Sequence, residues 1–169
     1  MNNERKWILR GGRVLNPAPF CLIGIVNVTP DSFSDGGKYI DPRNAVAHGL
    51  RLLDEGAGML DLGAESTRPF AEPVPEGEEI ARLMPVVARL REQRPDAVLS
   101  VDTLKAGTAR AALEGGADII NDVSACVADP ALLDVLAEYK PGYVLMHSQG
   151  SPREMQVNPR YGNVVEEIL

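Results

Sequence analysis

Short apolar runs alternate along the chain with helical stripes, and each run ends in small polar residues. Cys21-Leu22-Ile23-Gly24-Ile25-Val26, Met59-Leu60-Asp61-Leu62, Val98-Leu99-Ser100-Val101, Ile119-Ile120 and Tyr143-Val144-Leu145-Met146 are too short for core helices and read as buried strands, the first (Cys21–Asn27) as fully buried. Between them, apolar residues recur every three or four positions. Ala45, Val46, Leu50, Leu52 and Leu53 form one such stripe; Ile80, Leu83, Met84, Val87 and Leu90 form a second; Leu132, Leu133, Val135 and Leu136 form another. The punctuation agrees. Asp41-Pro42 is an N-cap followed by proline at the first helical position, and that helix runs to Gly56. Pro75-Glu76 opens the second helix, which ends in a basic turn, Arg91 to Arg94, before Pro95. A third runs from Lys105 to Glu114 and stops at Gly115-Gly116, a fourth starts at Asp129-Pro130, and Pro159 to Leu169 reads as the first turns of a fifth. Ahead of all this, Gly11-Gly12 lies between two short apolar pieces and predicts a β-hairpin over residues 7–15.

Strand, loop, helix in repetition means parallel strands joined by crossover helices, an α/β fold. A local repeat supports it: Gly56-Ala57-Gly58-Met59-Leu60-Asp61 is echoed by Gly116-Ala117-Asp118-Ile119-Ile120-Asn121. In both, glycine ends a helix by accepting a left-handed backbone. Polar residues recur where the strands end, at Asn27, Asp61, Asp102, Asn121 and His147. An open doubly wound sheet would put phosphate on a Gly-x-Gly-x-x-Gly turn, and the chain has none. Recurrent polar strand tips favour a TIM-type (β/α)8 barrel, whose site is assembled from many such tips.

Composition narrows the function classes. Net charge is −7 and the pI about 4.9, with no basic patch, which argues against nucleic acid and for a small-molecule ligand held by local loop groups. No apolar run reaches the length of a membrane span, and Met1 to Trp7 lacks the apolar core of a signal peptide, so a cytoplasmic protein without membrane contact is expected. Cys21 and Cys126 sit in or beside apolar runs and read as reduced thiols.

Five stretches carry a specific resemblance. Asn27-Val28-Thr29-Pro30-Asp31-Ser32-Phe33-Ser34-Asp35-Gly36-Gly37 resembles the first signature of dihydropteroate synthases, and Gly63-Ala64-Glu65-Ser66-Thr67-Arg68-Pro69 the second. Ser100-Val101-Asp102-Thr103, Ile119-Ile120-Asn121-Asp122 and Leu145-Met146-His147-Ser148-Gln149-Gly150 are similar to further stretches of that family, in the same order. The resemblance implies condensation of 6-hydroxymethyl-7,8-dihydropterin pyrophosphate with p-aminobenzoate, release of pyrophosphate, use of Mg2+, an eight-stranded barrel and a homo-oligomer. It implies that Asn27, Arg68 and Asp102 are catalytic, with Asn27 as the metal-associated residue. Phe33, Thr67, Arg68, Pro69, Asp102, Asn121 and Met146 would bind the substrates. The chemistry is coherent: a neutral amide oxygen suits a Mg2+ held mostly by phosphate and water, Arg68 can grip an anion with two N–H groups, and Asp102 and Asn121 offer acceptors and donors to a pterin edge. The first loop reads as a lid with a Gly36-Gly37 hinge. Ala64 and Ser148 depart from residues common in the family, without removing a named ligand.

Each residue also has a plainer role. Asn27 and Asp31 can cap a turn at Thr29-Pro30, Arg68 can be a solvated charge, Asp102 can cap the third helix, and Asn121 can serve backbone groups at a strand end. His48 reads as a helix-surface residue, His147 as part of a site wall, Asp61 as a supporting carboxylate and Glu65 as an anchor of its loop. At the level of the whole chain, a pterin- or folate-binding methyltransferase module and a non-catalytic folate-pathway barrel are the alternatives. The family pattern continues with three strands carrying an aspartate, a Ser-Arg-Lys stretch and an Arg-x-His, and these 169 residues contain none of those motifs. The expectation is therefore an incomplete barrel with an amino-terminal β-hairpin, residues 1–169 being the amino-terminal part of a single pterin-binding barrel domain. As it stands the chain is expected to be inactive, to self-associate and to have a poorly ordered first loop.

Overall fold

The computed structural model describes residues 6–29, 41–65, 73–150, 155 and 158–169. A two-stranded antiparallel hairpin comes first: β1 (Trp7–Ile8) and β2 (Val14–Leu15), joined through a 3-10 turn at Arg10–Gly12. Gly11 and Gly12 take φ of +69° and +80°, the left-handed conformation that the glycine pair predicted. Five parallel strands follow, β3 (Ile23–Asn27), β4 (Met59–Gly63), β5 (Leu99–Asp102), β6 (Ile119–Asp122) and β7 (Gly142–Leu145). They alternate with α1 (Pro42–Asp54), α2 (Glu76–Gln93), α3 (Ala106–Glu114) and α4 (Leu132–Tyr139), and a short α5 (Val164–Ile168) comes last.

Local chemistry sets the helix ends. The Asp41 carboxylate accepts the Arg43 N–H at 2.9 Å ahead of Pro42, and Gly56 and Gly116 follow their helices at φ +106° and +101°. The cap assigned to Asp102 is not there. Thr103 Oγ1 accepts the Lys105 N–H at 3.2 Å and Asp129 Oδ2 accepts the Ala106 N–H at 2.8 Å, so the start of α3 is satisfied without Asp102.

The strands lie in chain order, β3-β4-β5-β6-β7, with no reversal. A doubly wound sheet reverses order and takes helices on both faces; here one face takes the helices, as in a sector of a (β/α)8 barrel. The outward residues Val26, Leu60, Leu62, Leu99, Val101 and Ile120 are fully buried against Leu83, Val86, Val87, Leu90, Ala109, Leu113 and Leu132 of the helices. Among the described residues, the opposite face is closed only at its amino-terminal end. There the hairpin lays Leu9, Trp7 and Leu15 against Met59, Val98 and Ile119. Gly142 makes this fit possible, since a Cβ there would fall 2.7 Å from Leu9 Cδ2 and 3.1 Å from Trp7 Cζ2. Arg13 pins the hairpin from outside, donating to Ala97 O at 2.8 Å and lying 3.5 Å from the Asp118 carboxylate, which also accepts from Leu99 N and from Arg91.

The hairpin does not reach β3, and this corrects the fully buried reading of Cys21–Asn27. The strand alternates: Gly24 and Val26 are buried, whereas Ile23 and Ile25 on the inner face are 53% and 61% exposed. β3 has one hydrogen-bonded neighbour in the sheet, and no described element covers its inner face at that level. If the hairpin is the plug of the inner face, Leu9→Ala should cost about 3 kcal/mol, the range for a deleted core leucine. Urea unfolding of the variant checks this; a loss below about 1 kcal/mol would show that the hairpin only decorates the sheet.

Candidate active site

Side chains alternate along a strand, and neighbouring parallel strands keep pairs in register. Asn27 pairs with Gly63, Gly63 with Asp102, Asp102 with Asn121 and Asn121 with Val144. These residues form one inward-facing row at the carboxyl ends of the strands. One layer below, Ile25, Asp61, Ser100, Ile119 and Gly142 form the next row. Three of the tips named from the sequence, Asn27, Asp102 and Asn121, therefore face one space, floored by a fourth, Asp61, and by Ser100.

The position of Gly63 between Asn27 and Asp102 matters. The point a Cβ would occupy there lies 3.8 Å from Asn27 Oδ1 and 3.7 Å from Asp102 Oδ2. With no side chain between them, an amide oxygen and a carboxylate share that space. Asn121 turns down to donate from Nδ2 to Asp61 Oδ2 at 2.9 Å, which leaves its carbonyl oxygen and second N–H for a ligand. Its reading as a group serving the strand backbone is replaced by this side-chain bond. Asp61 Oδ1 and Ser100 Oγ are buried and have no hydrogen-bond partner among the described residues.

Asp102 is the electrostatic centre. No described residue donates a hydrogen bond to its carboxylate. Burial, followed by the negative charges of Asp61, Glu79, Asp122 and Glu65, pushes its pKa up to about 7. A carboxyl shifted this far, at a strand tip and free of its own caps, has the character of a site residue.

Two supports behind the row were not read from the sequence. Glu79 in α2 is 1% exposed; its Oε2 takes the Lys105 ammonium at 2.8 Å and the Thr108 hydroxyl at 3.1 Å, and its Oε1 has no partner among the described residues. Lys105 also pairs with Glu65, the residue read as a loop anchor. A signal existed: Glu79 stands at i−4 from Leu83 and i−8 from Val87, inside the apolar stripe of its helix. The other support is Asp122, fully buried, whose carboxylate accepts from Ser124 N and Oγ at 2.7 Å, Cys126 N at 2.6 Å and Tyr143 Oη at 2.8 Å. Burial works against its charge, but these donors outweigh burial and hold its pKa below the usual value.

Met146 follows β7, half-buried, with its N–H 3.4 Å from Asp122 O. His147 is exposed and bonds through Nε2 to Tyr161 Oη at 3.0 Å; His48 is half-buried beside Arg51. Phe33, Thr67, Arg68, Pro69 and the lid from Pro30 to Gly37 lie outside the described residues. Among the described residues, no group of three or more His, Cys, Asp or Glu side chains is placed to hold a metal ion. A metal cage made by protein alone is thus not built there, whereas a single neutral oxygen, Asn27 Oδ1, suits a hard cation brought largely by a phosphorylated ligand. Also among the described residues, no helix is long and apolar enough to cross a membrane.

Known proteins place this arrangement. The family model for pterin binding enzymes matches residues 23–169, from the start of β3 onward. The dihydropteroate synthase of Mycobacterium leprae is 47% identical over 152 residues, covering 89% of this chain and 53% of that protein. The synthase of Synechocystis is 41% identical over 147 residues, covering 87% and 50%. The chain thus spans about half the length of the relatives it matches. Among solved structures, the Xanthomonas albilineans dihydropteroate synthase with 4-aminobenzoic acid superposes with a TM-score of 0.81 at 46% identity, covering 96% of this chain and 57% of that one. The Yersinia pestis synthase in a sulfonamide drug complex gives 0.85 at 41%, covering 97% and 58%. With the match beginning at the first barrel strand and taking in every polar tip of the inner row, the chain belongs to the family of pterin-binding enzymes.

Proposed function

We propose that the chain carries the pterin-side half of a cytoplasmic dihydropteroate synthase, which joins 6-hydroxymethyl-7,8-dihydropterin pyrophosphate to p-aminobenzoate and releases pyrophosphate. The observation that carries this reading is the row Asn27–Gly63–Asp102–Asn121, in which an amide and a half-buried carboxylate converge across a glycine. Related proteins named dihydropteroate synthase, one solved with 4-aminobenzoic acid and one with 7,8-dihydropteroate, support it.

Each residue has a task in that reaction. Asp102 accepts N–H groups of the pterin edge, and its negative charge favours the cationic character that the pterin gains as pyrophosphate departs. Asn121, fixed by Asp61, reads the ring with one acceptor and one donor. Asn27 would hold Mg2+ through Oδ1, and the bound ion would supply positive charge to the leaving diphosphate. Arg68, Thr67, Phe33 and Pro69 would serve the anionic and arylamine side, and Met146 the pterin side. A methyltransferase that expels no pyrophosphate has no need of the Asn27–Gly37 signature, and this separates the two readings.

The test is calorimetry with 6-hydroxymethyl-7,8-dihydropterin pyrophosphate and this chain. Saturable binding is expected, tightened by Mg2+ for the diphosphate ligand and unchanged by Mg2+ for the pterin lacking it. Asp102→Ala and Asn121→Ala should each weaken binding at least tenfold, about 1.4 kcal/mol. Binding indifferent to both variants would overturn the site. No dihydropteroate formation is expected from these 169 residues alone, and appreciable turnover would contradict that.

Asp102 also links the site to stability. Its pKa rises from 3.8 unfolded to about 7 folded, so between those values the folded protein keeps a proton that the unfolded chain has lost. Stability therefore falls as pH rises through that window and levels off above it. Asp102→Asn removes the buried charge, and its melting temperature at pH 8 should exceed the parent's by about 5 °C, with the difference vanishing near pH 4. An equal or lower melting temperature at pH 8 would contradict the desolvated carboxylate. Finally, exposed Ile23 and Ile25 on an edge strand favour a homo-oligomer; sedimentation should show self-association, and a clean monomer at high concentration would refute it.

A further inference from the structure

Lys105 stands three residues after Asp102, at the turn into α3, and its two ionic partners come from different elements. Its ammonium bonds Glu79 Oε2 at 2.8 Å in the first turn of α2 and pairs with Glu65 where the chain leaves β4. Burial opposes its charge, but the hydrogen bonds from Lys105 to Glu65 and Glu79 prevail and hold its pKa above the usual lysine value. The same turn makes a second grip, since Gly107 N donates to Glu76 Oε1 at 2.9 Å; Arg82 adds a third by donating to Ala64 O at 3.0 Å. The two ends of the β4–α2 connection, Ala64-Glu65 and Glu76 to Glu79, are thus fastened to each other and to the turn that follows Asp102.

We propose, on the reading that this is a dihydropteroate synthase site, that Lys105 is a positioning residue for Asp102: it fastens Glu65 and Glu79 to the turn that follows the strand tip and so fixes the carboxylate's surroundings. The tie has an electrostatic side as well. Four carboxylates act on Asp102: Asp61 and Asp122 from the neighbouring strands β4 and β6, Glu79 from α2 and Glu65 from the end of β4. Asp61 is bonded by Asn121 and Asp122 by its own loop and Tyr143, whereas Glu65 and Glu79 are paired by Lys105. Without the ammonium, Glu79 would be a buried charge answered, among the described residues, only by the Thr108 hydroxyl. A substitution at Lys105 therefore acts on the placement of Glu65 and Glu79 and on the field at Asp102 together, without touching a substrate.

Hydrogen exchange by mass spectrometry, with binding of the pterin pyrophosphate measured alongside, tests this on the same chain. In Lys105→Met, amides between Leu62 and Glu79 should exchange at least tenfold faster while those of the hairpin keep the parent rate, and the dissociation constant should rise about fivefold. Lys105→Arg should restore both, because a guanidinium can bridge two carboxylates. Unchanged exchange in Lys105→Met, or an arginine variant as impaired as the methionine one, would overturn the proposal. If Lys105→Met does not fold, Glu65→Gln breaks one side of the tie at a partly exposed position and should raise exchange in the same segment; parent-like exchange there would also overturn it. A parent chain that binds no pterin would sink the synthase reading, and the exchange rates would still decide whether the tie exists.

Discussion

The register of the parallel sheet is the constraint on which the rest depends. Five neighbouring strands keep paired residues level, so a polar residue at one tip is brought beside the polar residue at the next, whatever lies between them in sequence. Asn27 and Asp102 are 75 positions apart, yet both border the point where Gly63 lacks a side chain. The same parity turns Val26, Leu62 and Val101 outward into the helical core. A slip of one residue would exchange the two sets, burying Asp102 and Asn121 among leucines and placing Val101 in the site. The apolar packing of the outer face and the polar row of the inner face are therefore one specification read twice.

That convergence has an electrostatic cost. Asp61, Asp102, Asp122, Glu65 and Glu79 all lie at one end of a half-buried sheet, and the protein answers four of them locally. Asn121 bonds Asp61, a loop of backbone and hydroxyl donors surrounds Asp122, and Lys105 serves both glutamates. Asp102 alone receives no donor from a described residue, and burial, followed by the four negative charges around it, raises its pKa. A carboxylate left in this state keeps its acceptor sites open for a ligand that brings its own N–H groups, and such a ligand would favour the charged form. The loop at Asp122 shows how far the fold goes to satisfy the others: Ala125 and Cys126 both take positive φ, 53° and 60°, an arrangement L residues adopt at a cost of about 1 to 3 kcal/mol each.

Much of the fold was legible because its signals are local. Asp41-Pro42, Gly56, Gly116 and Gly11-Gly12 act within a few residues, so caps and turns could be read directly, and the inward tips Asn27, Asp102 and Asn121 follow once the strands are placed. What escaped depends on partners far away in sequence. Glu79 and Lys105 are ordinary helix-end charges until the packing of α2 against α3 makes them a buried pair, 26 positions apart. Asp102 could be read as a helix cap, but α3 starts only at Ala106, and Thr103 and Asp129 accept the N–H groups at its start. The apolar run at β3 looked buried on both faces because hydrophobicity reports what a surface prefers and cannot report whether a neighbour covers it.

The inner face of β3 and the hairpin mark the two ends of one argument about where the chain is tied down. At the amino-terminal end of the strands, Leu9 fits over Gly142, while Arg13 and Arg91 converge on Asp118, so the polar groups there are bonded and the apolar ones covered. At the carboxyl end the inner face keeps a desolvated acid, an amide and buried polar atoms without partners among the described residues. Interactions that stabilise the sheet are thus concentrated where no chemistry occurs, and interactions withheld from the fold are concentrated where a ligand would supply them. A sheet held rigid from below can keep an uncompensated carboxylate at its tips, and the positions that look least satisfied in the isolated chain are those the reaction would use.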